Sequence, residues 1–357
     1  MKIVLATGGS AGHLFPAIEA AKCLRTDGHE VVFLGAMGAG KTRITSEGFS
    51  LVELRATGLQ GKSRWADFKS AVKLFLVSIQ AITELRKINP QVVAGFGGYG
   101  AFPVVSAAVV LGIPSIIHEQ NVVPGRANKL LSFFVKKVAV SFKHTKKYLT
   151  SKRLVHTGCP ISRSSKRFDR LQSLAEFGFN KTDKIILVFG GSQGSQRINQ
   201  IFCEFLRHLQ GRFKIQVMHI SGKGKLEEVK DMYDGLNLPH VLFEFFEPME
   251  KLYQLADVVI SRSGASTIGE LTWFKKPAIL VPYPYAQGHQ KENADVLVES
   301  NTARIVQDAD LTPTRLMEDI SYLLEHPPAE VLFDRLIAEL NINGAAKSLA
   351  GEIASAV

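Results

Sequence analysis

The sequence is poor in the residues that build covalent or metal frameworks. Only three cysteines occur in 357 residues, Cys23, Cys159 and Cys203. They form no CxxC pair and join no cluster of ligand-spaced His and Cys, so neither a disulfide scaffold nor a zinc site is expected, and a reducing compartment fits. No apolar run reaches the roughly 18 to 20 residues that a spanning helix needs. The N-terminus, Met1-Lys2-Ile3-Val4-Leu5, enters a strand pattern directly and has no h-region of a signal peptide. Any membrane contact is therefore expected to be peripheral. Acidic residues are scarce in one half only: the first 160 residues hold 21 Lys+Arg against 8 Asp+Glu, and the remainder 22 against 25. That asymmetry fits a well-solvated surface, or one facing a polyanion such as lipid headgroups or nucleic acid.

What is present is a globular composition, 46% hydrophobic and 21% charged, in a length that suits two domains. Short runs rich in Val and Ile alternate with helical-period segments, the pattern of parallel sheets covered by helices. Strands are expected over 2–6, 30–34, 91–95, 115–118 and 137–140, with helices such as 15–26 and 66–87 between them. A second series follows at 184–189, 214–220, 241–243, 257–261 and 278–281. The fold class is α/β, with two doubly wound, Rossmann-like domains facing a cleft. Their expected bounds are 1–161 and 162–340, joined by a polar linker at 162–169; residues 341–357 form a last helix that can return to the first domain.

Four glycine-rich turns stand at expected strand ends: Thr7-Gly8-Gly9-Ser10-Ala11-Gly12-His13, Gly95-Phe96-Gly97-Gly98-Tyr99-Gly100, Phe189-Gly190-Gly191-Ser192-Gln193-Gly194-Ser195 and Ser263-Gly264-Ala265-Ser266-Thr267. Small residues let the chain bend sharply and leave helix N–H groups facing an anion. Tight strand-to-helix packing selects glycine too, so one such turn means little. Four at strand C-termini border the ligand crevices of open parallel sheets. A nicotinamide fold is excluded on detail, because the first turn spells GGxxG and the second strand ends in Leu34-Gly35 with no acid for a ribose. Gly35-Ala36-Met37-Gly38-Ala39-Gly40-Lys41-Thr42 matches the P-loop pattern, which keeps a P-loop NTPase as an alternative. The helix after Lys41 meets Gly48 within two turns, and no later strand ends in the Asp that would hold magnesium.

Chemistry-bearing side chains gather at the same ends. His13 opens a helix beside the first turn and can take a proton near neutral pH. His118-Glu119-Gln120-Asn121 ends a strand with four polar groups, Glu270 follows the last turn by one helical turn, and Gln287, His289, Gln290 and Asn293 follow another strand. A carboxylate placed like Glu270 can accept both hydroxyls of a ribose.

Together and in this order, Gly8–His13, Gly97-Gly98-Tyr99, His118–Asn121, Gly190–Gly194 and Arg262-Ser263-Gly264-Ala265 resemble the bacterial MurG family over nearly the whole chain. The resemblance implies a fold of the GT-B type and inverting, metal-independent transfer of N-acetylglucosamine from UDP-N-acetylglucosamine to a lipid-linked muramyl-pentapeptide, with no cofactor and no nucleic acid. It also implies peripheral attachment to the cytoplasmic face of the inner membrane. By residue, it implies that His13 is the base, with Glu119 second, and that Ser10, Ala11, Gly12 and Asn121 complete the sugar and acceptor side. Ser192 would meet phosphate, Phe246 uracil through its backbone, Ala265, Ser266 and Thr267 the diphosphate, with Ile268 and Gly269 continuing that helix; Glu270 would bind the ribose and Gln290 the sugar. Arg163 stands near the family's linker arginine, one place later, and Ser10-Ala11 stands where the family usually has Thr-Gly. A UDP-N-acetylglucosamine 2-epimerase is the nearest alternative enzyme, but its first half should not be so basic. Two segments have the make-up of a membrane face: Trp65, Phe68, Val72, Phe75 and Leu76 beside Lys62, Arg64, Lys69 and Lys73, and Leu130-Leu131-Ser132-Phe133-Phe134 before Lys136-Lys137.

Overall fold

The computed structural model describes residues 1–38, 40–54, 64–149, 153–162, 168–209, 214–285 and 288–357, without the side chains of 64–75. The chain divides into two compact units, Met1–Ser162 with Glu339–Val357, and Arg163–Ala338.

In the first unit the strands are β1 (Lys2–Ala6), β2 (Glu30–Gly35), β3 (Ser50–Glu53), β4 (Val92–Gly95), β5 (Ser115–Glu119), β6 (Lys137–Val140) and β7 (Leu154–His156). They alternate with α1 (Ala11–Thr26), α2 (Gly40–Ser46), α3 (Arg64–Ile88), α4 (Gly98–Val110) and α5 (Arg126–Leu131). All pairings are parallel and the order is β3-β2-β1-β4-β5-β6-β7. Successive strand side chains point to opposite faces, and here both faces are covered. Ile3 and Leu5 of β1 pack into one layer with Leu14 and Ile18 of α1. Val4 and Ala6 pack into the other with Leu85 of α3 and Val104 and Ala108 of α4. The near-continuous apolar reading of β1 follows from that double cover.

The second unit opens with α6 (Arg170–Glu176) and runs through β8 (Lys184–Phe189), α7 (Gln196–His208), β9 (Ile215–Ile220), α8 (Leu226–Tyr233), β10 (His240–Phe243) and α9 (Met249–Leu255). It continues with β11 (Val258–Ser261), α10 (Ala265–Trp273), β12 (Ala278–Leu280), α11 (His289–Glu299), β13 (Ala303–Ile305), α12 (Pro313–Glu325) and α13 (Glu330–Glu339). This six-stranded parallel sheet has the order β10-β9-β8-β11-β12-β13. Ile186 and Val188 of β8 meet Ile198, Phe202 and Phe205 of α7 and Leu316 and Ile320 of α12 in one layer.

The chain then returns to the first unit, where α14 (Ala345–Ala354) packs on α1 through Leu349, Ala350 and Ile353. Its polar side is tied down as well. Lys136 Nζ donates to Ala356 O at 2.9 Å, and Lys137 Nζ pairs with Glu352 Oε2 at 2.6 Å. The returning chain runs beside the outgoing one: Cys159 N donates to Leu340 O at 3.0 Å and Asn341 Nδ2 to Thr157 O at 2.9 Å.

Strand order reverses once in each sheet, between β1 and β4 and between β8 and β11. The first and fourth glycine turns follow β1 and β4, and the second and third follow β8 and β11. At the second reversal the turn after β8 lies backbone to backbone on the end of β9. Gly194 has φ +68°, and a Cβ there would fall 2.1 Å from Ser221 O. Gly224 has φ +72° with open space around it. Gly194→Ala is therefore expected to lower unfolding free energy by about 2 to 4 kcal/mol, combining a left-handed backbone with overpacking against a carbonyl. Gly224→Ala should cost only about 1 to 2 kcal/mol. Urea unfolding of the two variants checks this, and equal losses would mean that the contact with Ser221 contributes nothing.

Candidate functional site

The reversal in the first unit gathers the expected acid-base groups. Ser10 caps α1 in an extended conformation, yet its side chain does not cap the helix; Ser10 Oγ lies 2.7 Å from His13 Nδ1 instead. The half-buried imidazole rests against the turn after β4, where Gly97 and Gly98 take φ +83° and +76° and a Cβ would meet the ring at 3.2 Å in each case. Burial holds His13 below its ordinary range, and the charge of Glu119 partly offsets this. A neutral imidazole close to a carboxylate is able to accept a proton and then be stabilised as the cation.

Glu119 itself is buried and its oxygens are fully engaged. Oε1 accepts from Asn121 N at 2.9 Å and Asn121 Nδ2 at 3.2 Å, and Oε2 from Gly125 N at 3.0 Å and Asn128 Nδ2 at 2.8 Å. With four donors on it, the carboxylate shapes the 119–128 loop and supplies field to His13. Gln120 Nε2 donates to Phe96 O at 2.8 Å, and His118, buried and bonded to Ser141 Oγ at 3.2 Å, is pushed down to about 3 by burial. Both are scaffolding. Ala11 and Gly12 are exposed on the first turn of α1.

At the second unit's reversal, α10 begins at Gly264 with no side-chain cap and no acid in its first turn. Ala265, Ser266 and Thr267 form that turn, and Ser266 Oγ is buried without a hydrogen-bond partner among the described residues. Such an end favours an anion. Ile268 and Gly269 lie deeper; Ile268 N donates to Gly264 O at 3.0 Å and its side chain is in the core, and Gly269 is buried. Glu270 stands one turn on. Tyr253 OH donates to Glu270 Oε2 at 2.8 Å. Burial, opposed by that hydrogen bond and reinforced by the charge of Glu250, pushes the Glu270 carboxyl up to about 7.

Ser192 is exposed at the tip of the turn after β8. The Phe246 ring packs with Phe243 at 4.6 Å and Phe177 at 6.1 Å between centroids, anchoring the loop after β10. Gln290 Oε1 accepts from Ser263 N at 3.2 Å and Tyr283 N at 2.9 Å, so its amide end is the part left to meet a sugar. Asn293 Nδ2 donates to Ser263 O at 3.2 Å. Arg163 and Gln287 lie outside the described residues.

Sequence alone names neither Arg262 nor Tyr253 nor Asn128 as site residues. Arg262 joins three loops: its guanidinium donates to Ser195 Oγ at 2.7 Å, to Val281 O and Pro282 O at 3.1 Å, and pairs with Asp308 at 2.5 Å. Its place in the Arg262–Ala265 motif was the available signal. Asp308-Ala309-Asp310 spells D-x-D, but Arg262 occupies its first carboxylate, and no metal-holding group of His, Cys, Asp and Glu occurs among the described residues.

The P-loop spelling has a packing explanation. A Cβ on Gly9 would fall 2.0 Å from Met37 O and one on Gly35 2.4 Å from Thr7 O, so these glycines let residues 35–38 lie on the first turn. Lys41 Nζ pairs with Glu53 on edge strand β3 at 3.3 Å.

Residues 3–140 match the glycosyltransferase family 28 N-terminal domain and residues 185–342 its C-terminal domain. A UDP-N-acetylglucosamine--N-acetylmuramyl-(pentapeptide) pyrophosphoryl-undecaprenol N-acetylglucosamine transferase of Carboxydothermus hydrogenoformans is 36% identical over 336 residues, covering 92% of this chain and 90% of that protein. The protein of the same name from Myxococcus xanthus is 36% identical over 356 residues, 98% of this chain and 91% of its own. Among solved structures, Acinetobacter baumannii MurG superposes with a TM-score of 0.73 at 26% identity, covering 99% of both chains. A UDP-GlcNAc 2-epimerase from Neisseria meningitidis, bound to UDP-GlcNAc, has a TM-score of 0.69 over 99% of both chains at 15% identity and so shares the fold alone.

Glu270 gives this site a measurable signature without ligand. Its carboxyl is raised in the folded state, so between about pH 4.5 and 7 the folded chain holds a proton that the unfolded chain has lost, and stability falls as pH rises through that window. Glu270→Gln should be more stable than the wild type at pH 8, by about 1 to 3 kcal/mol, with the gain vanishing near pH 4.5. Thermal unfolding across that range checks it; a gain independent of pH would contradict the buried carboxyl.

Proposed function

The chain belongs to glycosyltransferase family 28 and, within it, to the MurG family, and on that premise we propose that it transfers N-acetylglucosamine from UDP-N-acetylglucosamine to the 4-hydroxyl of a lipid-linked muramyl-pentapeptide in peptidoglycan synthesis. The observation that carries this reading is the pairing at the β8/β11 reversal of an uncapped, acid-free helix start with a carboxylate one turn on, Ala265–Thr267 and Glu270. A nucleoside diphosphate fits that pair: phosphates on the N–H groups, ribose hydroxyls on the carboxylate. Ser192 and the loop at Phe246 flank it on the β8 and β10 sides, and Gln290 offers its amide to the sugar.

In the first unit His13 takes the acceptor's proton as the new bond from its 4-oxygen to the anomeric carbon forms. The bond from that carbon to the diphosphate oxygen breaks on the opposite face, so an α-linked donor gives a β-linked product. The electron pair leaves on UDP, whose charge the start of α10 stabilises without a metal. Glu119 lies close enough to favour the imidazolium that results.

The acceptor's lipid suits the basic half of the chain. Leu130, Phe133 and Phe134 are 51%, 68% and 60% exposed, on and just after α5. No helix among the described residues is long and apolar enough to cross a membrane. We read this face as a peripheral contact with an anionic bilayer, with one amendment: Lys136 and Lys137 bind the C-terminal segment and leave lipid to Arg126 and Lys129, exposed on α5. The earlier helix stretch, Lys62 to Phe75, falls where the backbone or side chains lie outside the described residues, apart from exposed Leu76. Replacing Phe133 and Phe134 by Ser should sharply reduce co-sedimentation with vesicles containing anionic phospholipid, and undiminished sedimentation would remove this face from the reading.

His13→Ala tests the chemistry. Its kcat is expected to fall by about 100-fold or more, with UDP affinity within roughly threefold of wild type. Because burial lowers the imidazole's pKa, wild-type activity should be lost on the acid side of the ordinary histidine range, and the variant should lack that limb. UDP release from UDP-N-acetylglucosamine, with and without lipid-linked muramyl-pentapeptide, is the assay. Near-normal turnover in a folded variant would exclude His13 as the base, and production of the manno epimer from donor alone would favour the epimerase.

A further inference from the structure

The role proposed for Glu270 needs a carboxylate held in one orientation, and the structure contains the group that holds it. Tyr253 lies on α9, a helix that otherwise supplies core residues, and is 1% exposed. Its ring stacks on Phe274, 5.3 Å between centroids and 14° from parallel, and meets Phe189 edge-on at 6.1 Å. Between two rings the phenol has no freedom to turn away. Its hydroxyl donates to Glu270 Oε2 at 2.8 Å.

We propose that Tyr253 is a positioning residue for the donor: by occupying Oε2 from below, it fixes the plane of the Glu270 carboxylate and leaves Oε1 to receive the ribose hydroxyls. The inference rests on the ribose-binding role given above to Glu270. Two titratable groups act on the carboxylate, Tyr253 and Glu250, both from α9, and none from α11, which also packs on α10, acts on it among the described residues. Glu250 and burial favour the neutral carboxyl, and the tyrosine hydrogen bond opposes them. Burial also pushes the Tyr253 hydroxyl well above its ordinary range, so it remains a donor throughout the working range of pH. Tyr253 thus has two coupled effects, orientation and retention of negative charge on a group that must accept hydrogen bonds.

Tyr253→Phe keeps both ring contacts and deletes only the donor, so the fold should survive. The first measurement needs no ligand: the side-chain carboxyl of Glu270, followed by carbon NMR in glutamate-labelled protein and assigned with Glu270→Gln, should titrate near pH 7 in the wild type and about one pH unit higher in Tyr253→Phe. The second is UDP affinity by calorimetry. Wild-type affinity should rise with pH through the carboxyl's titration, and in Tyr253→Phe the rise should move up by the same amount, with weakening of about fivefold at pH 7 and much less at pH 9. A midpoint that does not move, or a loss of affinity equal at all pH values, overturns the proposal and leaves Tyr253 as a packing residue. If the midpoint moves but UDP affinity is indifferent to pH and to Glu270→Gln, the ribose-binding role of Glu270 has failed, and the positioning role falls with it.

Discussion

Both units rest on one topological constraint: the first strand of each sheet sits in the middle, so the chain must leave it in one direction and later come back on its other side. The connections after the two central strands then diverge and open a crevice beyond them. His13 and the start of α10, two elements of the proposed chemistry, stand at those two reversals. At the first, the register of β1 with β4, Ala6 opposite Gly95, brings two glycine turns level with each other. At the second, Phe189 opposite Ser261 does the same for β8 and β11. Side chains larger than glycine would close the space that the strand order opens.

Within those gaps the chain treats its two important carboxylates in opposite ways. Glu119 is buried but surrounded by amide donors, so desolvation is offset by four hydrogen bonds and its loop becomes a fixed frame for His13. Glu270 is half-buried, with a single donor among the described residues, Tyr253, and a second carboxylate acting on it. Its hydrogen-bonding capacity is unspent. An acid left in that condition destabilises the empty protein and favours a ligand that brings hydroxyl groups, which is a reason to look for function at the less comfortable of the two.

Much of the fold was legible because a parallel strand covered on both faces is a run of branched apolar residues, and every expected strand of that kind is present. The three that escaped notice are β3, β7 and β13, which lie at sheet edges. They are only three or four residues long, and β3 carries exposed Ser50 and Glu53, so their pattern merges with the loops. The site divides the same way. Glycine turns and the residues just after them could be picked out, since they are local in sequence. Arg262, Tyr253 and Asn128 act across 67, 17 and 9 residues of chain, through single hydrogen bonds to Ser195, Glu270 and Glu119. No periodicity records such a partnership. The P-loop spelling was ambiguous for the converse reason, since glycines placed to let two loops touch look the same in sequence as glycines placed around a phosphate.

The last helix of the chain belongs to the opposite unit from the helices that precede it in sequence, α12 and most of α13. Leu349, Ala350 and Ile353 are part of the hydrophobic layer under β1, and Glu352 and Ala356 hold Lys137 and Lys136. Trimming the final dozen residues, or fusing a bulky tag after them, would consequently be an edit to the N-terminal domain. It would uncover an apolar stripe along α1 and release two ammonium groups a short step from Phe133 and Phe134. A preparation shortened in this way should turn sticky, a fault that shows in the first unit although its cause lies at the far end of the sequence.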